Sequence, residues 1–454
     1  MDTTANTKQL TRGGEPGFWS RHRSALSLAP LAFFLLAYLG GSVAVGDFDK
    51  IPMTVAFLLS SCLAIGVSRG SLNKRISRFS AGAGDRNILL MVWIYVLAGA
   101  FACTAQQLGS IDATVALTLR ALPSQMVFVA LFVAAAFVSL AIGTSVGTVV
   151  ALVPIAAGVA EGLGQEPATL AALVVGGAYF GDNLSFISDT TIAATQTQGV
   201  RMADKFRQNV KIIWPAVAVM LAYCVAMGIG SDAIVPTSPV NLPLVIPYAA
   251  VIGLAIVGIN VMVVLLVGVG LAALIGMIGG RLTFWECLRS VGDGVSGMGD
   301  LIIVAMLAGG MLELIRANGG LKLIIGLLQR GIRGRRGAQA AIGALVAMAN
   351  VCTANNTVAI ITVGRIARDI SDRFGVDPRR TASLLDTVAC CVQGLLPYGV
   401  QMLLAAKLAG CSPLDILPCM YYPALLGACA AVAAWRDKGS AGKAAVETDN
   451  GQQQ

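Results

Sequence analysis

The sequence predicts an all-α polytopic membrane protein built from two inverted repeats, with re-entrant hairpins and broken transmembrane helices. Three observations lead to this fold class. Hydrophobic residues make up 56% of the 454 residues and charged residues only 12%, and several apolar stretches are long enough to cross a bilayer. The sequence repeats itself at a spacing of about 210 residues. Corresponding segments of the two copies differ in charge, as inversion requires.

The internal repeat is carried mainly by glycine residues at a nearly constant spacing. The first copy contributes Gly66, Gly70, Leu72, Gly82, Gly84, Leu97, Ala98, Gly99 and Gly109, and the second repeats them at Gly276, Gly280, Leu282, Gly292, Gly294, Leu307, Ala308, Gly309 and Gly319. Further along, TSVGT at 144–148 pairs with TANNT at 353–357 at an offset of 209. A glycine-rich chain also produces chance matches, but a spacing held over so long a stretch favours duplication. Duplicated halves of membrane carriers commonly enclose a binding site.

Apolar stretches that are predicted to span the membrane follow one another along the chain. They lie at 24–46, 51–68, 88–108, 168–195, 212–230, 244–258, 261–279, 300–316, 382–409 and 417–435. Two further segments, 125–160 and 338–364, consist of apolar arms around a polar middle. We expect them to be re-entrant hairpins, because their second arms, 149–160 and 358–364, are short for a full crossing. Alternatively, each of the two segments could cross the membrane twice, which would leave the orientation of all other spans unchanged.

The basic residues set the predicted orientation. Of the 32 Lys and Arg residues, 27 lie on one face, in the two tails and in segments 69–86, 196–211, 316–336 and 365–380. The positive-inside rule makes this face cytoplasmic. The repeats are inverted, because segment 69–86 carries five basic residues while its partner, 279–296, is neutral. The predicted parts are a cytoplasmic tail (1–23), a first transmembrane repeat (24–230), a periplasmic linker (231–243), a second, inverted repeat (244–435) and a cytoplasmic tail (436–454).

Composition also limits the partners and the location. The net charge of +8 is an orientation signal, so nucleic acid is not an expected partner. The ten cysteines show no CxxC pair and no metal spacing, and the single histidine, His22, lies in the polar N-terminal tail; we therefore predict no cofactor. The expected partners are the lipid bilayer of a bacterial inner membrane, Na⁺, and a small solute or a proton. The sequence leaves the oligomeric state open, a homo-oligomer included.

Polar residues of the first repeat concentrate in the first hairpin and in the span that follows it. Hydroxyl groups alternate with glycines at 143–148, and the span contains GGAYFGDNLSFISDTT at 176–191. A cytoplasmic loop is the alternative, but ionisable groups inside a membrane indicate function, and broken backbone there lines a cavity. We predict that Asp182 and Asp189 bind Na⁺, with Asp189 as a principal ligand. The other candidate ion- or substrate-binding residues are Thr144, Ser145, Thr148, Asn183, Ser185, Ser188 and Thr190.

The second repeat has polar residues at the corresponding places but no carboxylate at the break of its span. Its candidate binding residues are Thr353, Asn355, Asn356, Thr357, Gln393, Tyr398 and Gln401. A cation such as Na⁺ needs several oxygen ligands and benefits from a formal negative charge. We therefore expect one strong cation site in the first repeat and a weaker, neutral or solute-contacting site in the second, with the transported substrate between the two hairpin tips and the two broken spans.

Four motifs resemble a known family. They are GDNLSFISDTT (181–191), GVSGMGDLIIVAMLAGG (294–310), TANNTVAIITVGRIARDI (353–370) and DPRRTASLLDTVACCVQGLLPYGVQMLLAA (377–406). Together they resemble the NhaC-like Na⁺/H⁺ antiporter family, within the ion-transporter superfamily of inverted-repeat secondary carriers. The resemblance covers roughly residues 20–435. It implies a sodium-linked secondary active transporter with a midplane site, and it supports the hydroxyl, amide and carboxylate residues named above.

Three kinds of function are alternatives to a Na⁺/H⁺ antiporter-like transporter: a solute carrier, a protease, and a channel or scaffold. Because the superfamily also transports organic acids and amino acids, a Na⁺-coupled carrier of such a solute is the alternative. An intramembrane aspartyl protease would need Asp182 to converge with Asp189 or Asp386, and it would explain neither the inverted repeats nor the hydroxyl-rich tips. A channel or a structural scaffold would show passive flux or none. We therefore expect a transporter and not an enzyme. Glu313 and Arg316, at i and i+3 near a helix end, are expected to pair away from the substrate.

Overall fold

The structure of the chain is a computed structural model, which describes residues 25–41, 51–186, 188–229, 241–257, 259–329 and 332–436. The predicted N-terminal tail lies outside the described residues, as do most of the predicted linker and nearly all of the C-terminal tail. Within the described ranges every regular secondary-structure element is a helix.

The first half of the chain forms ten described α-helices. They are α1 (Ala29–Leu35, continued by a π-helical turn, Leu36–Gly40), α2 (Met53–Val67), α3 (Leu72–Ala83), α4 (Arg86–Leu108), α5 (Ser110–Ala121), α6 (Ser124–Ile142), α7 (Ser145–Gly162), α8 (Pro167–Leu184), α9 (Asp189–Gln198) and α10 (Met202–Gly228). We call α6 and α7 the first hairpin, and α8 and α9 the first broken span.

The second half follows the same order over its described residues. Its helices are α11 (Ile246–Ile256, preceded by a 3₁₀ turn, Leu242–Val245), α12 (Val261–Ile278), α13 (Phe284–Gly297), α14 (Gly299–Ala317), α15 (Gly320–Gln329), α16 (Gly334–Thr353), α17 (Asn356–Phe374), α18 (Pro378–Leu395), α19 (Val400–Ala409), α20 (Pro413–Ile416, continued by a 3₁₀ turn, Leu417–Cys419) and α21 (Tyr421–Arg436). We call α16 and α17 the second hairpin, and α18 and α19 the second broken span.

The described residues form two compact units. One comprises the residues up to Asp85 together with Met306–Leu327, and the other comprises Arg86–Ala305 and the residues from Leu328 onward. In the first unit, Asn318 donates its side-chain amide to the Ser68 hydroxyl at 2.8 Å and accepts from the Arg69 backbone amide at 3.0 Å. Both hairpins and both broken spans belong to the second unit, so the features that position the candidate site lie there.

The backbone repeats itself in the way the sequence predicts. The two broken spans have equal lengths, with helices of 18 and 10 residues around a break at the same place, and all their boundaries differ by 211 positions. Left-handed backbone also recurs at equivalent positions. The pairs are Gly70 and Gly280, Gly109 and Gly319, Gly143 and Ala354, Gly164 and Gly375, and Gly199 and Gly410. The predicted duplication is therefore visible in the chain's conformation as well as in its composition.

The hairpin tips correct one detail of the predicted register. The sequence motifs were paired at an offset of 209, but the left-handed residues Gly143 and Ala354, which end α6 and α16, are 211 apart. Thr144 and Asn355 then begin α7 and α17 from the same extended conformation. The predicted offset was wrong by two, because matching the threonines of TSVGT and TANNT ignored which residue makes the turn.

Packing between the two halves of the second unit is reciprocal. Helix α9 of the first broken span packs on α17 of the second hairpin, and α19 of the second broken span packs on α7 of the first hairpin. Equivalent hydrogen bonds join each hairpin to its own broken span: Ser139 donates to the Ala178 carbonyl at 2.6 Å, and Asn350 donates to the Ala389 carbonyl at 2.7 Å. A twofold relationship between the halves produces such exchange of contacts.

Helix length and apolarity agree with a membrane protein. Seven of the described helical segments are long and apolar enough to cross a bilayer, or nine if each bent pair counts as one span. Each broken span qualifies as a segment of 32 residues. The second arm of each hairpin is longer than predicted: α7 has 18 residues and α17 has 19. Helix α7 is also apolar enough to cross, whereas α17 becomes charged from Arg365 onward.

Candidate cation-binding site

A cavity of about 120 Å³ lies among the two hairpin tips and the two broken spans. Ten of the predicted site residues line it: Thr144, Ser145, Asp182, Asp189, Thr190, Asn355, Asn356, Thr357, Gln393 and Gln401. The remaining wall comes from tip and helix residues and from α4, which contributes residues that were not predicted: Asn87, Leu90, Met91 and Ile94. Parts of the chain more than 200 residues apart therefore meet at one cavity.

Helix ends surround this cavity because both hairpins and both broken spans are interrupted there. Ser145, Asp189, Asn356 and Val400 are the first residues of four helices, and all of them line the cavity. Helices α6, α8, α16 and α18 end beside it. Unpaired amide groups at helix starts favour negative charge, and unpaired carbonyl groups at helix ends favour positive charge. The cavity can therefore hold ions of either sign, as in transporters with discontinuous helices.

Asp182 is the buried carboxylate of the cavity. Its side chain is 4% exposed, although it sits in the last turn of α8 beside the break. Ser145 donates to one carboxylate oxygen at 2.9 Å, and Ser188 donates to the other at 2.5 Å. Within the described residues, no lysine, arginine or histidine forms an ion pair with Asp182. This carboxylate is held by hydroxyl groups alone.

Close packing of α8 on the first hairpin puts Asp182 next to the tip. A side chain at Gly181 would collide with the backbone of α6 at Ala136, so only glycine allows the two helices to approach this closely. Ser185, just past the end of α8, donates to the Leu140 carbonyl at 2.9 Å. These contacts bring the break of the first broken span against the turn at Gly143.

Hydrogen bonds connect Asp182 to the second half of the chain. Gln401, at the start of α19, donates its amide to the Ser145 hydroxyl at 3.0 Å. Gln393 donates to Gln401 at 3.3 Å and to the carbonyl of Ala354 at 2.8 Å. Hydrogen bonds thus connect the second hairpin tip to Asp182 through the amides of Gln393 and Gln401 and the hydroxyl of Ser145. Both repeats contribute to this one polar network.

The second tip has strained backbone and unpartnered amide atoms. Ala354 has a φ of 46°, which is unfavourable for a residue with a side chain, and such strain clusters at functional sites. Asn355 caps α17 by accepting from the Val358 amide at 2.9 Å. In the described structure the buried Nδ2 of Asn356 and Oε1 of Gln393 have no hydrogen-bond partner. The cavity therefore offers a free donor and a free acceptor on this side.

Asp189 lines the cavity but differs from Asp182 in its surroundings. It is the first residue of α9 and its side chain is exposed. An exposed carboxylate keeps its hydration and interacts weakly with a cation. The sequence analysis assigned the leading role in binding Na⁺ to Asp189, whereas the geometry favours Asp182, which is buried and accepts hydrogen bonds from two candidate binding residues, Ser145 and Ser188.

The other predicted residues lie around the site and do not line the cavity. Thr148 donates to Thr144 of its own helix at 3.2 Å, and Thr353 donates to the Asn355 carbonyl at 3.0 Å. Tyr398 donates to the Val351 carbonyl at 2.8 Å. Ser188 acts through its bond to Asp182 and lies 2.8 Å from the Thr190 hydroxyl oxygen. Thr148, Thr353 and Tyr398 therefore donate to backbone carbonyl groups near the site and do not face the cavity.

Asn183 belongs to a second buried cluster that the sequence did not predict. Lys205 of α10 forms an ion pair with Asp386 of α18 at 2.5 Å, and their side chains are 1% and 0% exposed. Asn209 donates to the Asn183 carbonyl at 2.9 Å and to Asp386 at 3.2 Å, and Asn183 donates to Asp386 at 3.0 Å. Ser383 donates to Asn209 at 2.5 Å. Asn183 follows Asp182 in α8, so this cluster lies next to the buried carboxylate of the cavity.

Lys205 was misread as one of the basic residues of the cytoplasmic segment 196–211. The count placed every Lys and Arg of this segment on the cytoplasmic face, whereas α10 already begins at Met202 and buries Lys205. A usable signal was present: the buried residues of this helix recur at helical spacing, at Lys205, Asn209, Ile212, Ala216 and Met220. A polar pair that continues a buried apolar face marks an internal cluster.

Glu313 and Arg316 form the predicted pair at i and i+3, with 4.0 Å between charged atoms. Their side chains are 36% and 71% exposed, in that order. The pair lies in the first compact unit, and neither residue lines the cavity.

An all-helical membrane fold with repeated broken spans, enclosing a cavity with a buried carboxylate, defines a secondary transporter. The chain belongs to the Na⁺/H⁺ antiporter family, whose profile matches residues 53–230 and 229–434. The predicted family resemblance and fold class are confirmed. Membership implies Na⁺ and H⁺ as the transported ions and identifies the chain as a Na⁺/H⁺ antiporter-like carrier in the membrane, so the protease interpretation falls away.

Individual relatives in this family differ in what their names say they carry. The chain is 23% identical over 408 residues to a malate-2H⁺/Na⁺-lactate antiporter of Bacillus subtilis, covering 82% of this chain and 87% of that protein. It is 24% identical over 410 residues to the Na⁺/H⁺ antiporter NhaC of the same organism, covering 82% and 88%. It is 26% identical over 337 residues to the arginine/ornithine antiporter ArcD of Halobacterium salinarum, covering 65% and 68%.

Proposed function

We propose that this protein exchanges Na⁺ for H⁺ at a single buried carboxylate, Asp182. The observation that carries the proposal is that Asp182 lines the cavity, is 4% exposed and has no ion-pair partner among the described residues. An unpaired buried carboxylate is unfavourable, and it gains from a bound proton or metal cation. Because the same oxygens accept either ion, Na⁺ and H⁺ exclude each other, which couples their opposite movements.

The neighbouring hydroxyl groups suit both states of the carboxylate. Ser145 and Ser188 now donate to Asp182. A hydroxyl can rotate so that its lone pairs face a cation, because the same oxygen both donates and accepts. We expect Ser145, Ser188 and Thr190 to turn in this way when Na⁺ binds, with the Gln401 side-chain oxygen as a further ligand. Na⁺ would then be held by oxygen atoms alone, as hard cations prefer.

The size of the cavity favours an inorganic ion. At about 120 Å³ it has room for several water molecules. Pockets for small organic molecules usually measure about 300–1,000 Å³. In this conformation a partly hydrated Na⁺ fits the cavity better than an organic solute with its own hydration.

A second candidate is a Na⁺-coupled carrier of a small organic acid or amino acid. The free amide donor of Asn356 and the free acceptor of Gln393 support it, together with the four helix starts that favour a carboxylate ligand. Relatives named as malate/lactate and arginine/ornithine antiporters point in the same direction. This function would require the cavity to widen by separating the second tip from the first broken span.

We further propose that the protein works in a bacterial inner membrane with both termini in the cytoplasm. The distribution of Lys and Arg supports this orientation, although burial of Lys205 removes one residue from the original count. The first tip would then approach the site from the periplasm and the second from the cytoplasm. Movement of the hairpins and broken spans together would expose the cavity to one side at a time.

The test is Na⁺-driven proton movement in proteoliposomes that contain a pH-sensitive dye. An imposed Na⁺ gradient should drive H⁺ in the opposite direction through the wild-type protein, without any organic solute present. Asp182→Asn keeps the size of the side chain and removes its charge, so exchange should fall by about a hundredfold or more. Asp372→Asn, which changes an exposed carboxylate paired with Arg368, is the matched control and should retain exchange. Activity that appears only when malate, lactate or an amino acid is added would favour the second candidate.

A further inference from the structure

Lys205 is the only buried cation among the lysines and arginines of the described ranges. Its ammonium group donates to the Asn183 carbonyl at 2.7 Å and to the Thr191 hydroxyl at 2.6 Å, and it pairs with Asp386 at 2.5 Å. An ammonium group has three donors, and all three have partners here. The group is therefore fully engaged in one geometry.

The three partners of Lys205 lie on the moving parts of the proposed site. Asn183 is in the last turn of α8, next to Asp182, and Thr191 is in the first turn of α9. Lys205 thus bridges both sides of the break in the first broken span. Its third partner, Asp386, belongs to the second broken span. One side chain ties together the two interrupted elements that frame the cavity.

While Asp386 is charged, the positive charge on Lys205 has a role that a neutral side chain cannot fill. Two buried carboxylates, Asp182 and Asp386, face the cluster from α8 and α18, and the Cys390 thiol lies 3.8 Å from Asp386. Lys205 neutralises Asp386 directly, so among the buried carboxylates of the described residues Asp182 is the one left without a paired cation. Lys205 does not line the cavity, and replacing it with a neutral side chain would leave Asp386 without a counter-charge.

We propose that Lys205 is a positioning residue for Na⁺/H⁺ exchange: a fixed internal cation that holds the break of the first broken span and keeps Asp386 neutralised, so that transported cations compete at Asp182 alone. The inference rests on the proposed function, because it assigns the exchange itself to Asp182. It adds that Lys205 holds these elements without taking part in the exchange itself.

The proposal makes a distinctive prediction for two variants. Lys205→Gln leaves Asp386 as a second uncompensated carboxylate and should lower the maximal exchange rate per folded molecule by at least about tenfold. Lys205→Gln combined with Asp386→Asn removes both charges and leaves amides that can bond to each other. This double variant should recover to within about threefold of the wild-type rate, with an unchanged pH profile and a higher Na⁺ concentration for half-maximal rate.

The experiment measures Na⁺-driven proton flux in proteoliposomes from about pH 6 to about pH 8.5, normalised to folded protein by thermal unfolding. Lys211→Gln is the matched control, because it makes the same change at an exposed position of the same helix. Recovery by the double variant supports the proposal. A folded but inactive double variant, or one with a shifted pH profile, overturns it, because removing both charges should leave exchange at Asp182 intact. A Lys205→Gln protein with normal flux per folded molecule also overturns it, since the role is then only structural.

Failure of this inference can be separated from failure of the proposed function. Asp182→Asn is measured in the same preparation. If Asp182→Asn still exchanges Na⁺ for H⁺, the proposed function fails whatever the Lys205 variants do. If Asp182→Asn is inactive while the double variant remains inactive, only the role of Lys205 is wrong. If Lys205→Gln does not fold, the double variant alone decides, because its buried charges are balanced.

Discussion

Asp182 and Gln393 occupy equivalent positions in the two broken spans, in the last turns of helices that both contain 18 residues. Each side chain contacts the tip of its own hairpin: Asp182 accepts from Ser145, and Gln393 donates to the Ala354 carbonyl. The duplicated framework therefore presents a carboxylate on one side of the cavity and an amide on the other.

The first prediction separates the two carboxylates that line the cavity. Asp182→Asn should abolish Na⁺-dependent exchange, because it removes the buried charge. Asp189→Asn should raise the Na⁺ concentration for half-maximal rate by only about threefold to tenfold, because water screens an exposed carboxylate. Flux measured over a range of Na⁺ concentrations gives both values. If Asp189→Asn abolishes exchange and Asp182→Asn does not, the sequence-based assignment of Asp189 was the better one.

The second prediction concerns Ser145, which donates to Asp182 and accepts from Gln401. Ser145→Ala removes an oxygen ligand and a link between the repeats. A hydrogen bond to a charged group contributes about 1.5–3 kcal/mol, so Na⁺ affinity should fall by roughly tenfold to a hundredfold. Binding can be measured by calorimetry on purified protein. Ser296→Ala, at an exposed position of α13, should bind Na⁺ normally, and equal affinity in the two variants would exclude Ser145 from the shell.

The third prediction is that Glu313 is not part of the transport site. Its pair with Arg316 is long and largely exposed, and exposed pairs of this kind contribute about 0–1 kcal/mol to stability. Glu313→Gln should therefore leave both the exchange rate and the melting temperature close to those of wild type. Loss of exchange at normal protein abundance would instead make Glu313 a proton carrier.

The fourth prediction tests alternating access with single cysteines at Thr144 and Thr357. Both residues line the cavity at the hairpin tips, and neither side chain contacts Asp182. On a background without the ten native cysteines, membrane-impermeant thiol reagents should label each position from one side at a time, and Na⁺ should slow the reaction. Simultaneous labelling of one position from both sides would indicate an open pore.

Much of the fold was predictable because it depends on backbone geometry that the sequence encodes locally. Glycines at left-handed turns, such as Gly199 and Gly410, recur wherever the repeat demands the same turn. Polar residues inside apolar spans then indicate where those spans break. The tip register was wrong because Ala354 adopts the left-handed conformation that glycine provides at 143, and nothing in its identity indicates this.

The candidate site was predictable in its residue types but not in its partners. Hydroxyl groups, amides and carboxylates at the tips and breaks all pointed to a polar cavity, and ten of them line one. Sequence could not rank Asp182 above Asp189, because their burial depends on how closely α8 packs against α6. It could not pair Lys205 with Asp386, since residues 181 positions apart meet only through the tertiary fold.

The most direct test of competition at Asp182 counts the protons released when Na⁺ binds. Titration calorimetry of the purified protein in buffers of different ionisation enthalpy gives this number at each pH. If Na⁺ displaces a proton from Asp182, release should approach about one proton per Na⁺ as the pH is lowered, while Na⁺ affinity falls by up to about tenfold per pH unit. The Asp182→Asn variant should show no such binding. Na⁺ binding to wild-type protein with no proton release and no change in affinity across the pH range would contradict exchange at this carboxylate.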